Sequence, residues 1–317
     1  MNTDEQLLYT VSRLYYVENL SQVEISKKLK LSRPKVSRLL AKSRESGIVS
    51  IKINSPTCNS VYELEERIKS MFGLENVLVV ATQYDDVDLN FSDTIKQAAT
   101  YFQSFIQDGD KIGIAWGYTL LKLAENFSNC SFPNSSILQI AGNLDNADSN
   151  NFAHEIIHQF SQKLGIKSLN TLPCPVAVES SIIVDLLLHD SKISNIIDQI
   201  NSVDVAFPNI GVVSEENCLW RSNYISTEEL HQLNKSGSVG CVCCRFIDVN
   251  GNIVDPSLDN RTISISLSSL KNARHSCVCV CSEEKVSSLI GCLRCGFVNV
   301  LAIDSKTATT LLERAAE

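Results

Sequence analysis

The stretch KIGIAWGYTLLKLAENF, residues 111–127, changes its hydrophobic pattern midway. Lys111 to Ala115 is a short apolar run without a polar face, as expected of a strand covered on both sides. Trp116 and Gly117 interrupt it, and Tyr118 to Phe127 continues as a helix. The unit is therefore strand, glycine turn, helix, and it recurs along the chain. Val77 to Ala81, Ser136 to Ala141, Val203 to Phe207, Cys277 to Cys281 and Val298 to Ile303 read as further strands. Asp93 to Ile106, Phe152 to Leu164, Glu283 to Leu293 and Lys306 to Ala315 read as helices between and after them. Apolar strands separated by helices predict a mostly parallel sheet covered on both faces, a doubly wound α/β domain.

In such a sheet, ligands collect where strand carboxyl ends meet loops and helix N-termini. Three strand ends carry the Gly and Asn residues that favour such a site: Gly113 to Thr119, Ala141-Gly142-Asn143 and Pro208-Asn209-Ile210-Gly211. Trp116, Gly117, Thr119, Gly142, Asn143 and Asn209 are the candidate ligand contacts. A glycine at a strand-to-helix turn more often serves backbone geometry than a ligand, so the three together carry more weight than any one. No Walker A sequence and no G-x-G-x-x-G fingerprint is present, which points away from nucleotides.

Upstream the chain has a different character. Residues 1–54 carry ten Lys or Arg against five Asp or Glu, and the remainder carries 18 against 31. A basic head on an acidic body suggests that the head meets a polyanion. Leu7, Leu8, Val11, Leu14 and Tyr15 recur at helical spacing from about Asp4 to Val17. Ser21 and Glu24 form a capping box before a short helix that buries Val23, Ile25 and Leu29. Lys30-Leu31-Ser32 makes a tight turn, and Ser32 is the expected N-cap of a third helix with Pro34 in its first turn.

On that helix Val36, Leu39 and Leu40 share one side, whereas Arg38 lies opposite, flanked by Lys35, Ser37 and Lys42. This is the pattern of a recognition helix in a helix-turn-helix: base edges are read near its start while nearby cations neutralise phosphates. Arg33, Lys35, Ser37 and Arg38 are the expected DNA contacts, with Lys42 and Arg44 on the backbone. Gly47 ends the helix, and 48–53 alternates as a strand, the wing of a winged helix. The expected organisation is a DNA-binding domain over 1–54, a linker over 55–60 containing Pro56, and an effector domain over 61–317. Val61 to Phe72 reads as an amphipathic helix able to help hold two subunits together.

No run approaches the ~18–20 apolar residues of a membrane span, and Asp4, Glu5, Arg13 and Glu18 break the first thirty residues. No membrane association is expected, and the expected location is the cytoplasm. The 12 cysteines include adjacent and alternating ones, unlike a disulfide framework, and read as reduced thiols. Cys277, Cys279 and Cys281 share one strand face, and Cys292 and Cys295 one helix face. The ~7 Å same-face spacing suits core packing better than a zinc site. A metal- or thiol-redox-responsive regulator is the alternative reading. An enzyme acting on sugar phosphates is disfavoured, because no acid/base pair stands out and His154, His158 and His189 occupy ordinary helical positions. No cofactor and no metal is expected.

The chain resembles the SorC family of sugar-responsive transcriptional regulators, collinearly over nearly its whole length. LYYVENLSQVEISKKLKLSRPKVSRLLAKSRESGIVSI is similar to that family's DNA-binding head, GIAWGYTL (113–120) to its glycine-tryptophan-glycine motif, and PNIG (208–211) to a later strand-end motif. GSVGCVCCRFIDVNG (237–251) and CSEEKVSSLIGCLRCGFVNVLAIDSKTATTLL resemble its C-terminal segments. The resemblance implies a sugar-isomerase-like effector domain without catalysis, an effector that alters affinity for double-stranded operator DNA, and a homodimer or homotetramer. It implies Lys285 as the effector-contacting lysine and Gly142 and Asn143 as phosphate-side loop residues. The chain departs from the family's Gly-Asp at Gly240-Cys241 and from its Gly-Gly at Cys281-Ser282. Arg245 and Asp248 read either as effector contacts or as a structural ion pair. The expected function is a regulator of a carbohydrate-utilisation operon gated by a sugar or sugar phosphate.

Overall fold

A computed structural model describes residues 3–49, 58–144 and 152–316, which fall into two units, Met1–Pro56 and Thr57–Glu317. In the first, α1 (Thr3–Tyr16), α2 (Gln22–Leu29) and α3 (Arg33–Glu45) enclose Val11, Leu14, Ile25, Val36 and Leu40. The capping box forms: the Ser21 amide donates to Glu24 Oε2 at 2.8 Å, and the Glu24 amide to Ser21 Oγ at 3.3 Å. Lys30, left-handed at φ 52°, closes α2 and turns the chain into α3.

Ser32 occupies the N-cap position of α3, but its hydroxyl makes no capping hydrogen bond, contrary to expectation. Pro34 has removed the second-position donor, and the Lys35 amide instead reaches the Ser32 carbonyl at 2.9 Å. The expected wing strand falls largely on residues 50–53, outside the described ones, as do residues 55–57 of the expected linker. The next helix, Cys58–Phe72, begins three residues before the expected Val61.

The second unit contains β1 (Asn76–Val80), β2 (Lys111–Ile114), β3 (Ser136–Gln139), β4 (Ser168–Asn170), β5 (Val205–Phe207), β6 (Ile210–Gly211), β7 (Gly240–Val242), β8 (Arg245–Ile247), β9 (His275–Val280) and β10 (Val300–Asp304). Seven form one sheet, ordered β1-β10-β9-β5-β2-β3-β4, in which every pairing is parallel. From β2 the order runs outward through β3 to β4, whereas β5, β9 and β10 run the other way. The reversal lies between β2 and β5, paired through Ile112 and Val205. The interior strands β5 and β10 are buried along their whole length, whereas the edge strand β4 is largely exposed. Phe102, Phe127, Phe160 and Phe207 pack beneath the centre of the sheet, with Phe127 and Phe160 ring centroids 4.9 Å apart.

The sequence pattern did not reveal β4 or the small antiparallel sheet β6-β7-β8. β7 and β8 are joined by Cys243 and Cys244, both at positive φ (47° and 66°), as a two-residue hairpin of this hand requires. The helix expected at Asp93–Ile106 spans Val87–Gln103, because Asp86 Oδ1 caps the amides of Asp88 and Leu89. The helix expected from Glu283 starts as a 3-10 turn, Glu283–Lys285, before the α-helix Val286–Arg294. Among the described residues no helix is long and apolar enough to cross a membrane.

Candidate functional site

At the reversal between β2 and β5, beyond the strands' carboxyl ends, lies a cavity of about 400 Å³. That is where a doubly wound sheet opens a crevice, and the volume is within the range of small-molecule sites. Trp116, Gly117 and Thr119 reach it from the turn after β2, Asn209 from the turn after β5, and Lys285 from the 3-10 turn after β9. These are five of the residues singled out from the sequence, drawn from segments up to 169 positions apart in the chain.

Each brings different chemistry. Gly117, at φ 128°, is the N-cap of the helix Tyr118–Asn126 and has no side chain to satisfy the first-turn amides, so these donors remain for a ligand. Trp116 is almost fully buried, and its indole N–H donates to the Gly142 carbonyl at 3.0 Å, which fixes the wall. Asn209 Oδ1 is buried without a hydrogen-bond partner, an acceptor facing a missing donor. Lys285 is half-buried and has no carboxylate within ion-pair distance among the described residues. The site thus offers one unsatisfied acceptor, a cation and open backbone donors.

Gly142, Asn143 and Arg245 are not gathered into this cavity. Gly142 serves close packing: a Cβ there would lie 2.5 Å from the Pro175 carbonyl oxygen. The Asn143 side chain accepts from Gln139 Nε2 at 2.9 Å and donates to the Leu172 carbonyl at 3.1 Å. Arg245 binds Asp259 Oδ1 at 2.6 Å and the carbonyls of Ile265 and Ser264 at 2.9 and 3.0 Å. Its fork is filled by protein, and its ionic partner is Asp259 rather than Asp248. Asp248 instead accepts the amides of Asn250 and Asn252 at 2.8 and 2.9 Å, shaping the turn after β8.

Thiols form part of the wall. Cys218, Cys241, Cys244 and Cys279 all line the cavity, a feature that alternation along β9 alone did not disclose. Burial pushes Cys241 up to about 12. Cys218 is held below its ordinary value by a hydrogen bond with Cys244, whose own thiol is pushed well up by the same bond and by burial. The Cys279 and Cys281 sulfurs are 3.7 Å apart, closer than strand spacing predicts, because β9 ends at Val280 and Cys281 leaves the strand. Cys277 and Cys292 are plain core, with burial raising both. Among the described residues no group of three or more His, Cys, Asp or Glu is arranged to hold a metal ion. Glu216, Asn217 and Glu284, which the sequence did not single out, complete part of the rim, and Asn217 is already engaged as an N-cap for Leu219.

In the first unit, Val36, Leu40 and Ser43 face inward from α3, and Arg33, Lys35, Ser37, Arg38, Lys42 and Arg44 are exposed. Lys35 and Lys42 are seven residues apart and share one flank, whereas Arg33, Ser37 and Arg44 share the other. None of these five cations is in an ion pair among the described residues, so their charge is free for phosphate.

The Sugar-bind family model, described as a putative sugar-binding domain, matches residues 57–313. The deoxyribonucleoside regulator of Bacillus subtilis is 31% identical over 308 residues, covering 97% of each chain. The chain belongs to the SorC family of sugar-binding transcriptional regulators. The sorbitol operon regulator of Klebsiella pneumoniae, another SorC-family protein, is 28% identical over 98% of this chain and 99% of its own. The crystal structure of that full-length regulator matches with a TM-score of 0.81, covering 98% of this chain and all of the other. These SorC-family relatives are transcriptional regulators rather than enzymes, and the chain shares their α/β architecture, with a helical N-terminal region and a seven-stranded parallel sheet.

Proposed function

We propose that this SorC-family regulator controls a carbohydrate-utilisation operon and that the cavity between β2 and β5 binds a small sugar or sugar phosphate as effector. The observation that carries the reading is Asn209 Oδ1, a buried acceptor left unsatisfied at the sheet's switch point. A sugar hydroxyl is the donor it lacks. Lys285 and the open amides after Gly117 suit the anionic end of a phosphorylated ligand. Arg33, Lys35, Ser37 and Arg38 contact operator DNA, with Lys42 and Arg44 on phosphates. Operator DNA and a sugar place the protein in the cytoplasm.

A homodimer or homotetramer presents two or more heads to successive half-sites, and the effector shifts the population of arrangements in which both engage. Loss of simultaneous contact removes the gain in effective concentration as well as the contacts. The test is a mobility shift of the full chain on the DNA upstream of its own operon, with and without a panel of free and phosphorylated sugars. A specific shift altered by one sugar supports the reading. Specific DNA binding that no sugar changes removes the effector half, and no binding at low salt by folded protein removes the whole.

A further inference from the structure

The carboxyl end of β9 carries a pair of thiols that the sugar reading does not use. The Cys279 and Cys281 sulfurs lie 3.7 Å apart, within hydrogen-bond contact. Cys279 is buried and lines the cavity at the sheet's switch point. Cys281 is half-buried and lines a second cavity, of about 320 Å³, together with Thr82, Asn90 and Thr307. The chain then runs through Ser282 into the 3-10 turn Glu283–Lys285, in which Glu283 lines the second cavity and Lys285 the first. The segment from Cys279 to Lys285 therefore borders both.

We propose that Cys279 and Cys281 are a redox modification site, closing reversibly into a Cys-Val-Cys disulfide ring when the protein meets a peroxide. Peroxide enters by the second cavity. The Cys281 thiolate attacks one oxygen of hydrogen peroxide, the O–O bond breaks, and Cys281 sulfenic acid forms while the departing hydroxide takes a proton to become water. The Cys279 sulfur then attacks the sulfenic sulfur, and the S–O bond breaks as the S–S bond forms. The hydroxyl leaves with the Cys279 proton as a second water. Two thiols lose two electrons and two protons, and the peroxide gains them. A dithiol reductant reopens the ring by exchange and is itself oxidised.

Three features carry this reading. Same-face neighbours on a strand have Cα atoms ~6.6 Å apart, at the upper end of the ~4.4–6.8 Å that a disulfide spans. Here the sulfurs already touch, and the ladder from β9 to β10 ends at Val280, paired with Ile303, so Cys281 can turn inward without breaking a strand pair. Access is graded in the order the chemistry needs, with the half-buried Cys281 attacking and the buried Cys279 resolving. The hydrogen bond to Cys281, followed by burial, pushes Cys279 well up, so it keeps its proton and leaves the Cys281 sulfur as acceptor. Cys277 and Cys292, by contrast, are sealed in the core. Glu283 is tied to the helix Ser305–Ala315 by Lys306 at 2.8 Å and Thr310 at 3.2 Å, which leaves the turn little slack. Shortening the span from Cys279 to Cys281 is therefore felt at Cys279, in the wall of the cavity that also holds Asn209 and Lys285. Oxidation then abolishes the effector response. That consequence rests on the first cavity being the effector site; closure of the ring does not.

The full chain, reduced, exposed to one equivalent of hydrogen peroxide and then alkylated under denaturing conditions, supplies the test. The expected product has lost two of its 12 thiols. Trypsin cuts after Arg274 and Lys285 and releases residues 275–285 with Cys277, Cys279 and Cys281 in one peptide. After oxidation this peptide should carry a single label, on Cys277, and dithiothreitol before alkylation should restore the other two. Cys281→Ser should form no ring, and Cys279→Ser should stop at a sulfenic acid on Cys281 that dimedone traps. The mapping of the wild-type chain decides the matter even where a variant folds poorly. Full labelling of the peptide, oxidation of Cys281 with Cys279 still labelled, or a bridge from either cysteine to another segment overturns the proposal. Repeating the sugar panel on reduced and oxidised protein separates the two ideas. A response lost on oxidation and regained with dithiothreitol is expected, and an equal response in both states refutes the coupling. No response to any sugar in either state, with the ring formed, refutes only the effector reading.

Discussion

Replacing Arg245 with Met keeps the length of the side chain and removes its donors. In the native fold this guanidinium is 13% exposed and holds Asp259, itself 24% exposed, at 2.6 Å. It also satisfies the carbonyls of Ile265 and Ser264, which belong to the segment bridging to Ala141. Breaking a buried pair costs about 3–5 kcal/mol, and the partial exposure of Asp259 lets water recover some of that, so about 3 kcal/mol is expected. For a unit of this size each kcal/mol moves the melting temperature by ~2–3 °C, giving a fall of about 6–9 °C. The assay is calorimetry of the full chain, followed by effector titration well below the transition. Asp259→Asn should recover part of the coupling, so that Arg245→Met costs less in that background. An unchanged melting temperature with a lost effector response would refute the structural role and return Arg245 to the ligand.

Asn209→Leu removes an acceptor that has no partner in the unliganded protein, so stability should hold or rise while the effector response falls about tenfold or more; equal sugar sensitivity in the variant counts against the cavity. Gly142→Ala places a Cβ 2.5 Å from a backbone carbonyl that cannot swing away, and should destabilise by about 1–3 kcal/mol in denaturant melts without requiring any ligand effect. In the head, Lys42→Ala should weaken DNA binding alike for all sequences and reduce the slope of log affinity against log salt by about 0.9, whereas Arg38→Ala should cost about 1–3 kcal/mol and relax operator preference at one position; the same salt slope in the Lys42 variant would remove its phosphate contact. Glu24 is held below its ordinary value of 4.5, first by the Ser21 hydroxyl and then by the Ser21 amide. Its contribution to the head is therefore complete above 4.5 and lost as pH falls through the lower folded value. The gap in melting temperature between wild type and Glu24→Gln should close only in that acid window, and a gap independent of pH across it contradicts the capping box.

The parts of the fold legible in sequence were those in which one local pattern implies one structure. Residues 111–127 announce a buried strand, a turn and a helix because each segment's apolar residues follow a single period, and β2 with its helix appears there almost to the residue. The capping box reads directly because Ser21 and Glu24 satisfy each other within four residues. Ser32 shows the limit of the same logic: a good capping residue loses its target when a proline two positions on removes the amide. β4 and β6 escaped because strands of three and two residues have too few positions to express a period. Site residues divide in the same way. Asn209 and Lys285 lie on segments whose turn position follows from the strand before them, so their convergence follows from the sheet order. Arg245 is different, because its role depends on Asp259, Ser264 and Ile265, whose approach is set by bridges between distant segments rather than by any local period. The thiol wall is the furthest from legibility. Cys218 and Cys244 are 26 positions apart, and neither belongs to the alternating run that draws the eye to Cys277, Cys279 and Cys281. Only the tertiary fold, which brings the helix opened by Cys218 and the turn between β7 and β8 to one cavity, makes these two unremarkable cysteines part of the same wall.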